Sequence, residues 1–189
     1  FSVFEWHEQA YYVPWGTDVD VFDSLSIRQK SDKVRFFTSA GMNPYRKGVD
    51  LVINAFVLAQ EDLRFKASTE LIIHTQKPLV EYFRSMDGYD NTIENIYKLL
   101  NSKTLCIMEE TVTAPGLYHK GDVYVYPSRL DGIGLTIAEA ISCGMPVIVP
   151  NDAPMNEFLP DIGSSVVSVN KFFCRSDGCR FSRVLKTRS

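Results

Sequence analysis

Two carboxylates and a pair of glycines form the part of this chain whose residue types and spacing best suit ligand binding. Asp131 and Glu139 are separated by seven residues, and Gly132 and Gly134 lie between them. Glycines let a phosphate approach the main chain closely because no Cβ is in the way. On spacing alone, a structural loop followed by a helix with a surface glutamate explains the segment at least as well as a ligand site.

The surrounding sequence predicts a strand, a loop, a helix and a second strand. Residues 122–126 alternate as a buried strand does, apolar residues recur at helical spacing from Gly134 to Cys143, and residues 146–149 resume as an apolar strand. Such a crossover unit of a parallel sheet places the first turn of its helix at the carboxyl edge, where free N–H groups bind anions. The predicted anion-binding groups are the backbone N–H groups of Gly134, Leu135 and Thr136 and the Thr136 hydroxyl.

A basic pair marks the start of another predicted helix. A helix with a broad apolar face is expected to begin near Lys47 and Gly48. Arg46 and Lys47 therefore stand at the positive end of the helix dipole, where a cation is unfavourable unless an anion lies beside it. The pair predicts a phosphate site, with solvated surface charge as the alternative.

Short apolar runs predict the remaining strands. They cover residues 11–14, 34–40, 70–75 and 104–108. His74, inside the third run, is interpreted as a satisfied core histidine rather than as a catalyst.

Residues 127–151 resemble the donor-binding signature of retaining glycosyltransferases of the GT-B fold, above all glycosyltransferase family four. In that signature an acidic residue, a Gly-aromatic-Gly turn, a helix with a glutamate and a Cys-Gly-x-Pro-Val-Ile segment follow one another. Asp131 and Glu139 match the two acidic positions of its E-x7-E motif, although the first is aspartate here and Ile133 replaces the aromatic residue. The resemblance extends over residues 11–169.

Further segments carry the same resemblance. In residues 41–50, Lys47 matches a family lysine that binds the donor diphosphate, whereas Met42 stands where an arginine is expected and Arg46 is the nearest replacement. Residues 13–22 resemble the opening of the family's carboxyl-terminal domain, and the loop after residues 104–108 corresponds to one that flanks the nucleotide base. The resemblance thus implies a donor pocket that includes Gly16, Gly41, Val112 and Gly132.

The resemblance implies an α/β fold, a Rossmann-like domain of about six parallel strands flanked by helices that forms one half of a GT-B enzyme. The implied activity is retaining transfer of a sugar from a nucleotide-diphosphate sugar to an acceptor hydroxyl. Arg46, Lys47 and the helix start at Gly134 would neutralise the leaving diphosphate without a metal ion or other cofactor. Glu139 would bind the ribose and Asp131 the transferred sugar. The acceptor would be bound mainly by an amino-terminal domain absent from these 189 residues.

Composition and charge set the remaining expectations. With 45% hydrophobic residues, the 189-residue chain can bury the core of one domain. We predict the linker or end of a preceding domain at residues 1–10, the nucleotide-sugar-binding domain at 11–169 and a basic, unassigned tail at 170–189. The net charge of -3, with basic residues concentrated in the tail, argues against a nucleic-acid partner.

The cysteines and the apolar runs give further expectations. Cys174 and Cys179 lack further metal ligands nearby in sequence, so no metal site is expected, and Cys106 and Cys143 are interpreted as buried hydrophobic residues. No signal peptide is readable from Phe1, and no apolar run approaches the about 20 residues of a membrane helix. We therefore expect a cytoplasmic protein that would contact a membrane only through the absent domain.

Two other interpretations remain open. Met42, Asp131 and the Asn151-Asp152 pair, which replaces two glycines of the family pattern, fit a nucleotide-binding module that has lost catalysis and serves as an interaction domain. A dinucleotide-dependent oxidoreductase or epimerase is the other, but the sequence contains no G-x-G-x-x-G segment after its first strand. A preference for nucleotide sugars over nucleotides would favour the transferase over the inactive module.

Overall fold

A computed structural model gives the fold of the chain. It describes residues 7–9, 11, 13, 15–23, 28, 30–157, 159, 164–167, 169–174 and 181–185. The strands are β1 (Val34–Ser39), β2 (Thr69–Thr75), β3 (Leu105–Glu109), β4 (Val123–Val125), β5 (Val147–Pro150), β6 (Ser164–Val167), β7 (Val169–Cys174) and β8 (Phe181–Leu185). The helices are α1 (Val49–Ala59), α2 (Leu63–Ser68), α3 (Leu79–Arg84), α4 (Asp90–Asn101) and α5 (Leu135–Ser142), with a 3-10 helix at Tyr118–Lys120.

Strands β1 to β6 form one sheet in the order β3-β2-β1-β4-β5-β6, and all of its neighbours are parallel. The loops that leave β1, β2, β3 and β4 therefore emerge at the same edge. The order reverses between β1 and β4, which are direct neighbours, and the loops at such a reversal diverge to leave a crevice for ligands. The predicted Rossmann-like α/β fold with about six parallel strands is confirmed.

The two faces of the sheet pack against different helices. Successive side chains of a strand point to opposite faces, so Leu71 and Ile73 pack with buried residues of α1, α3 and α4, whereas Ile72 packs with the cluster that includes α5. Phe37 joins the second cluster from β1. Burial on both faces explains why these strands read as continuous apolar runs in the sequence.

Helices α1 and α5 begin where the sequence predicts. Each follows a glycine in the left-handed conformation, Gly48 with φ 74° before α1 and Gly134 with φ 75° before α5. A glycine adopts a positive φ without the steric cost that a Cβ brings. Both helices follow strands of the parallel sheet, so both amino termini lie at its carboxyl edge.

Two predictions on the first strand and on a cysteine are wrong. Tyr11 and Val13 belong to no strand and are 81% and 83% exposed, because no other strand pairs with them; Tyr12 and Pro14 lie outside the described residues. Cys106 is exposed rather than buried, since β3 is an edge strand of the sheet.

Other local features agree with the sequence or go beyond it. Cys143 is buried, as predicted. Helix α2 was not predicted; Asp62 caps it by accepting hydrogen bonds from the backbone N–H groups of Arg64 and Phe65. The basic tail predicted at residues 170–189 contains strand β8, which pairs antiparallel with β7 in a separate two-stranded sheet. Among the described helices, none combines the length and the apolar character needed to cross a membrane.

Candidate functional site

Two loops meet where the strand order reverses, one leading from β1 into α1 and the other from β4 into α5. Gly48 packs so closely on the second loop that a Cβ at this position would lie 2.2 Å from the carbonyl oxygen of Pro127. Arg129 donates hydrogen bonds of 2.7 and 2.6 Å to the two carboxylate oxygens of Asp50 and one of 2.7 Å to the carbonyl oxygen of Tyr45. These buried contacts fix the second loop on the start of α1.

A second carboxylate, Asp131, joins the same two loops. Its Oδ2 atom accepts hydrogen bonds from Lys47 Nζ at 2.6 Å, from a terminal guanidinium nitrogen of Arg46 at 3.3 Å and from the hydroxyl of Tyr126. Its Oδ1 atom accepts a hydrogen bond of 3.1 Å from the backbone N–H of Gly134. The predicted diphosphate-binding groups of two separate loops thus converge on one carboxylate.

Burial and hydrogen bonding set the charges in this cluster. Burial alone would raise the pKa of Asp131, but the hydrogen bonds from Lys47 and Tyr126 outweigh it and hold the pKa well below its usual range. Burial lowers the pKa of Lys47, against the opposing effect of Asp131. Burial, reinforced by the hydrogen bond to Asp131, raises the pKa of the Tyr126 hydroxyl. At neutral pH the cluster therefore contains an ionised carboxylate and a neutral phenol.

A cavity of about 250 Å³ borders the first turn of α5. Its walls include Gly41 after β1, Gln76 after β2, Val112 after β3 and Thr136 in α5. Residues from the loops of several parallel strands meet in this way only at the carboxyl edge of the sheet. The cavity therefore occupies the crevice that the reversal of strand order creates.

The polar lining of the cavity includes Glu139 and His74. Glu139 accepts a hydrogen bond from the hydroxyl of Tyr118, a residue whose pKa is raised by burial. His74 is 6% exposed; its Nε2 atom donates to the carbonyl oxygen of Glu110 at 3.0 Å, and its Nδ1 atom lies 2.9 Å from Ser39 Oγ. The interpretation of His74 as a satisfied core histidine is confirmed.

The residues singled out from the sequence fall into two groups that α5 connects. Leu135 lies between the groups and is 37% exposed. Gly16 and Gly132 belong to neither group, since both are exposed and a Cβ at either would meet no atom within 4 Å. The group around the carboxylate contains Arg46, Lys47, Asp131 and Gly134, and the group in the cavity contains Gly41, Val112, Thr136 and Glu139.

Two tyrosines of the site were not predicted. Tyr126 contacts both Lys47 and Asp131, and its ring lies under the Lys47 ammonium, with 4.6 Å from Nζ to the ring centroid. Tyr118 holds Glu139. Aromatic residues in an apolar run are ordinarily interpreted as core, but Tyr126 directly follows β4 at the carboxyl edge, where ligand-binding groups collect. That position is the signal that could have identified it.

The donor set determines what the site can bind. Lys47, Arg46, the Tyr126 hydroxyl and the N–H of Gly134 are all hydrogen-bond donors, and two are cationic, so the arrangement suits an anion. Within the described ranges, no three His, Cys, Asp or Glu side chains are grouped as ligands for a metal ion. The cysteine pair near the carboxyl end lies outside the side chains that the structure describes.

Sequence comparison relates this chain to known sugar transferases. The profile of the glycosyl transferases group 1 family matches residues 23–167. The O-antigen chain mannosyltransferase B of Escherichia coli is 45% identical over 49 residues, which cover 26% of this chain and 13% of that protein. A probable sucrose-phosphate synthase of Thermosipho melanesiensis is 27% identical over 147 residues, which cover 75% of this chain and 32% of that protein.

The fold is similar to that of solved glycosyltransferases. The crystal structure of WaaG, a glycosyltransferase involved in lipopolysaccharide biosynthesis, matches with a TM-score of 0.62 and 21% identity over 88% of this chain and 46% of that chain. At this identity the likeness concerns the fold alone, and the present chain spans less than half the length of each of these proteins. The profile match covers most of the chain, including both groups of the site, so the chain belongs to the glycosyl transferases group 1 family.

Proposed function

We propose that this chain is the donor-binding half of a cytoplasmic, retaining glycosyltransferase that uses a nucleotide-diphosphate sugar. The observation that carries the proposal is the convergence of Lys47, Arg46 and the α5 start at Gly134 beside a cavity at the reversal of the strand order. An anion site next to a cavity of about 250 Å³ at this edge of the sheet suits a nucleoside diphosphate. Membership of the glycosyl transferases group 1 family supports a sugar as the group transferred.

The two groups of residues divide the donor between them. Lys47, Arg46 and the N–H groups at the start of α5 bind the diphosphate. The cavity holds the nucleoside, where Glu139 hydrogen-bonds the ribose hydroxyls and the loop at Val112 flanks the base. Asp131 contacts the transferred sugar once the diphosphate has taken its place among the cations.

The reaction needs charge stabilisation at the leaving group. The bond between the anomeric carbon and the diphosphate oxygen breaks, and a bond from that carbon to the acceptor oxygen forms on the same face of the sugar, while the acceptor hydroxyl proton passes to the leaving diphosphate oxygen. Negative charge then grows on the diphosphate. Positioned donors that are already in place stabilise such charge, so Lys47, Arg46 and the helix start perform this role in the proposal without a metal ion.

The acceptor is bound mainly by a second domain in this proposal. The chain covers 46% of the WaaG chain. In this proposal its site consists of the residues that bind the diphosphate and the cavity that holds the nucleoside. We therefore expect the 189-residue chain to bind a nucleotide donor weakly and to transfer no sugar by itself.

Calorimetric titration tests the donor site. The chain is titrated with UDP, GDP, ADP, UDP-glucose and GDP-mannose, and the titrations are repeated with Lys47→Ala and Glu139→Ala. Lys98→Ala and Glu94→Ala serve as controls, since each removes the same charge from an exposed position on α4. We expect one nucleoside diphosphate to bind selectively, with an affinity about tenfold or more lower in both site variants and unchanged in both controls.

The outcomes separate the proposal from its rival. Binding that the two site substitutions leave unchanged would place the nucleotide elsewhere and contradict the assigned roles. Selective binding of nucleotides with no preference for their sugar conjugates would favour the module that has lost catalysis. Sugar transfer by the purified 189-residue chain would refute the assignment of the acceptor to another domain.

A further inference from the structure

Asp131 occupies the position that the proposed function assigns to the donor diphosphate. Besides the contacts from Lys47, Arg46, Tyr126 and Gly134, its Oδ1 atom lies 3.4 Å from the backbone nitrogen of Ile133. The carboxylate therefore collects five donors from two loops. Most of these donors are the groups that would bind a phosphate.

A carboxylate and a phosphate cannot use these donors together. Both are anions that offer only acceptor oxygens, so both seek the same N–H and ammonium groups. The backbone N–H of Gly134 carries a single proton, and Asp131 Oδ1 already accepts it at 3.1 Å. The Lys47 ammonium lies 2.6 Å from Oδ2, so an incoming phosphate would also meet a like charge at the cation it must reach.

The short side chain of Asp131 favours its hydrogen bonds with the backbone of its own loop. An aspartate readily accepts hydrogen bonds from backbone N–H groups two and three residues further on, because its short side chain folds back on its own turn. Asp131 does this with Ile133 and Gly134 at the start of α5. Its contact with Lys47, 84 residues away, then joins the second loop to the same carboxylate.

We propose that Asp131 is an internal competitor of the donor diphosphate and thereby selects donors that carry a sugar. The diphosphate must displace the carboxylate from Lys47 and from the α5 start, and the displaced carboxylate regains hydrogen bonds only when sugar hydroxyls donate to it. A bare nucleoside diphosphate must also displace the carboxylate, but it has no sugar hydroxyls to donate hydrogen bonds to it. The inference rests on the proposed donor site and assigns Asp131 a role in discrimination between donor and product.

Two substitutions that remove the charge but keep an acceptor test the inference. Asp131→Asn and Asp131→Ser both retain an oxygen that can accept from the backbone at the start of α5. Asp32→Asn is the control, because it makes the same charge change at an exposed position. Each protein is titrated with UDP, GDP, ADP, UDP-glucose, GDP-mannose and inorganic pyrophosphate at one ionic strength, and circular dichroism verifies the fold.

We expect both site variants to bind the selected nucleoside diphosphate about tenfold more tightly than the unsubstituted chain, and the control to match the unsubstituted chain. The advantage of the sugar conjugate over the bare diphosphate should shrink in the same variants. A role of Asp131 in structure alone would change the affinity in the opposite direction, because a loosened site binds more weakly.

The result also separates this inference from the donor site itself. Diphosphate binding by the unsubstituted chain that is equal or weaker in both variants would overturn the competition and leave the proposed function in place. Absence of binding by all of the proteins, with pyrophosphate included, would overturn both. Binding by the two variants but not by the unsubstituted chain would support the competition in its strongest form.

Discussion

Asp50 and Asp131 are carboxylates that join the same two loops, and their surroundings differ. Asp50 is paired through both oxygens with one guanidinium, that of Arg129, and each side chain is 7% exposed. Asp131 is 14% exposed and faces two cations, of which Arg46 is 40% exposed. The first pair is closed, and each Asp50 oxygen accepts a hydrogen bond from Arg129. The second has more donors than one carboxylate needs and an open side from which an anion can enter.

The difference indicates that, at one junction of two loops, the Asp50 pair serves stability and the Asp131 cluster serves ligand binding. A buried pair whose partners satisfy each other holds its loop in place, and removal of one partner leaves an uncompensated charge. A partly exposed cluster with surplus donors can exchange one anion for another at lower cost. We therefore expect substitutions at the inner pair to reduce the free energy of unfolding and substitutions at the outer cluster to change ligand affinity.

Loss of the inner pair should have the largest effect. Arg129→Met leaves the Asp50 carboxylate buried without its cation and should lower the free energy of unfolding by about 3–5 kcal/mol in urea denaturation. The double variant with Asp50→Asn should recover part of that loss, because the uncompensated charge is gone. Arg64→Ala, at a side chain 96% exposed, should change stability by less than about 0.5 kcal/mol. A similar small change in Arg129→Met would contradict the structural role of the pair.

The contact between the loops gives the next largest effect. Gly48→Ala forces a residue with φ 74° to carry a Cβ 2.2 Å from the Pro127 carbonyl oxygen, and should cost about 3 kcal/mol in unfolding free energy. Gly88→Ala is a matched control, since Gly88 has φ 81° and nothing within 4 Å of its Cβ position. Its cost should be about 1–2 kcal/mol, from backbone conformation alone. Equal losses of unfolding free energy in the two variants would mean that the loops move apart without cost to accommodate the Cβ.

The outer cluster should respond in binding more than in stability. Tyr126→Phe removes the hydroxyl that contacts Lys47 and Asp131 while it keeps the ring, so it should weaken nucleoside diphosphate binding about three- to tenfold by calorimetry. The accompanying loss of unfolding free energy should be about 1 kcal/mol. Tyr97→Phe, at a residue 45% exposed on α4, should leave the affinity unchanged. An unchanged affinity in Tyr126→Phe would show that this hydroxyl does not contribute to anion binding.

The pH dependence of stability should show the smallest effect. The folded protein holds the pKa of Asp131 below its unfolded value, so below about pH 4 the unfolded chain takes up a proton that the folded chain does not. The stability that Asp131 contributes is then fully present above about pH 5 and declines as the pH falls toward the folded pKa. Denaturation of the unsubstituted chain and of Asp131→Asn from pH 3 to 8 should show this convergence at acid pH. Parallel curves over the whole range would contradict the ionised, paired state.

The sequence was informative wherever a structural feature depends on residues that are close along the chain. Apolar runs located β1 to β5, and glycines located the starts of α1 and α5. Helix α2 escaped prediction because its six residues are too few to show a recognisable apolar period. The exposure of Cys106 followed from the edge position of β3, which depends on strand order and not on the run itself.

The features of the site also separate into those that local sequence indicates and those that the tertiary structure decides. Arg46 and Lys47 at the start of a helix indicated a bound anion from local sequence, and the resemblance assigned Asp131 and Glu139 to a donor. Neither indicated that the nearest anion is Asp131 itself or that Tyr126 completes the cluster. Residue types and local periods, which short-range sterics and burial dictate, were determined by the sequence alone. The contact between Lys47 and Asp131 across 84 residues was decided by the tertiary structure, because only the parallel sheet with β1 beside β4 brings those two loops to one edge.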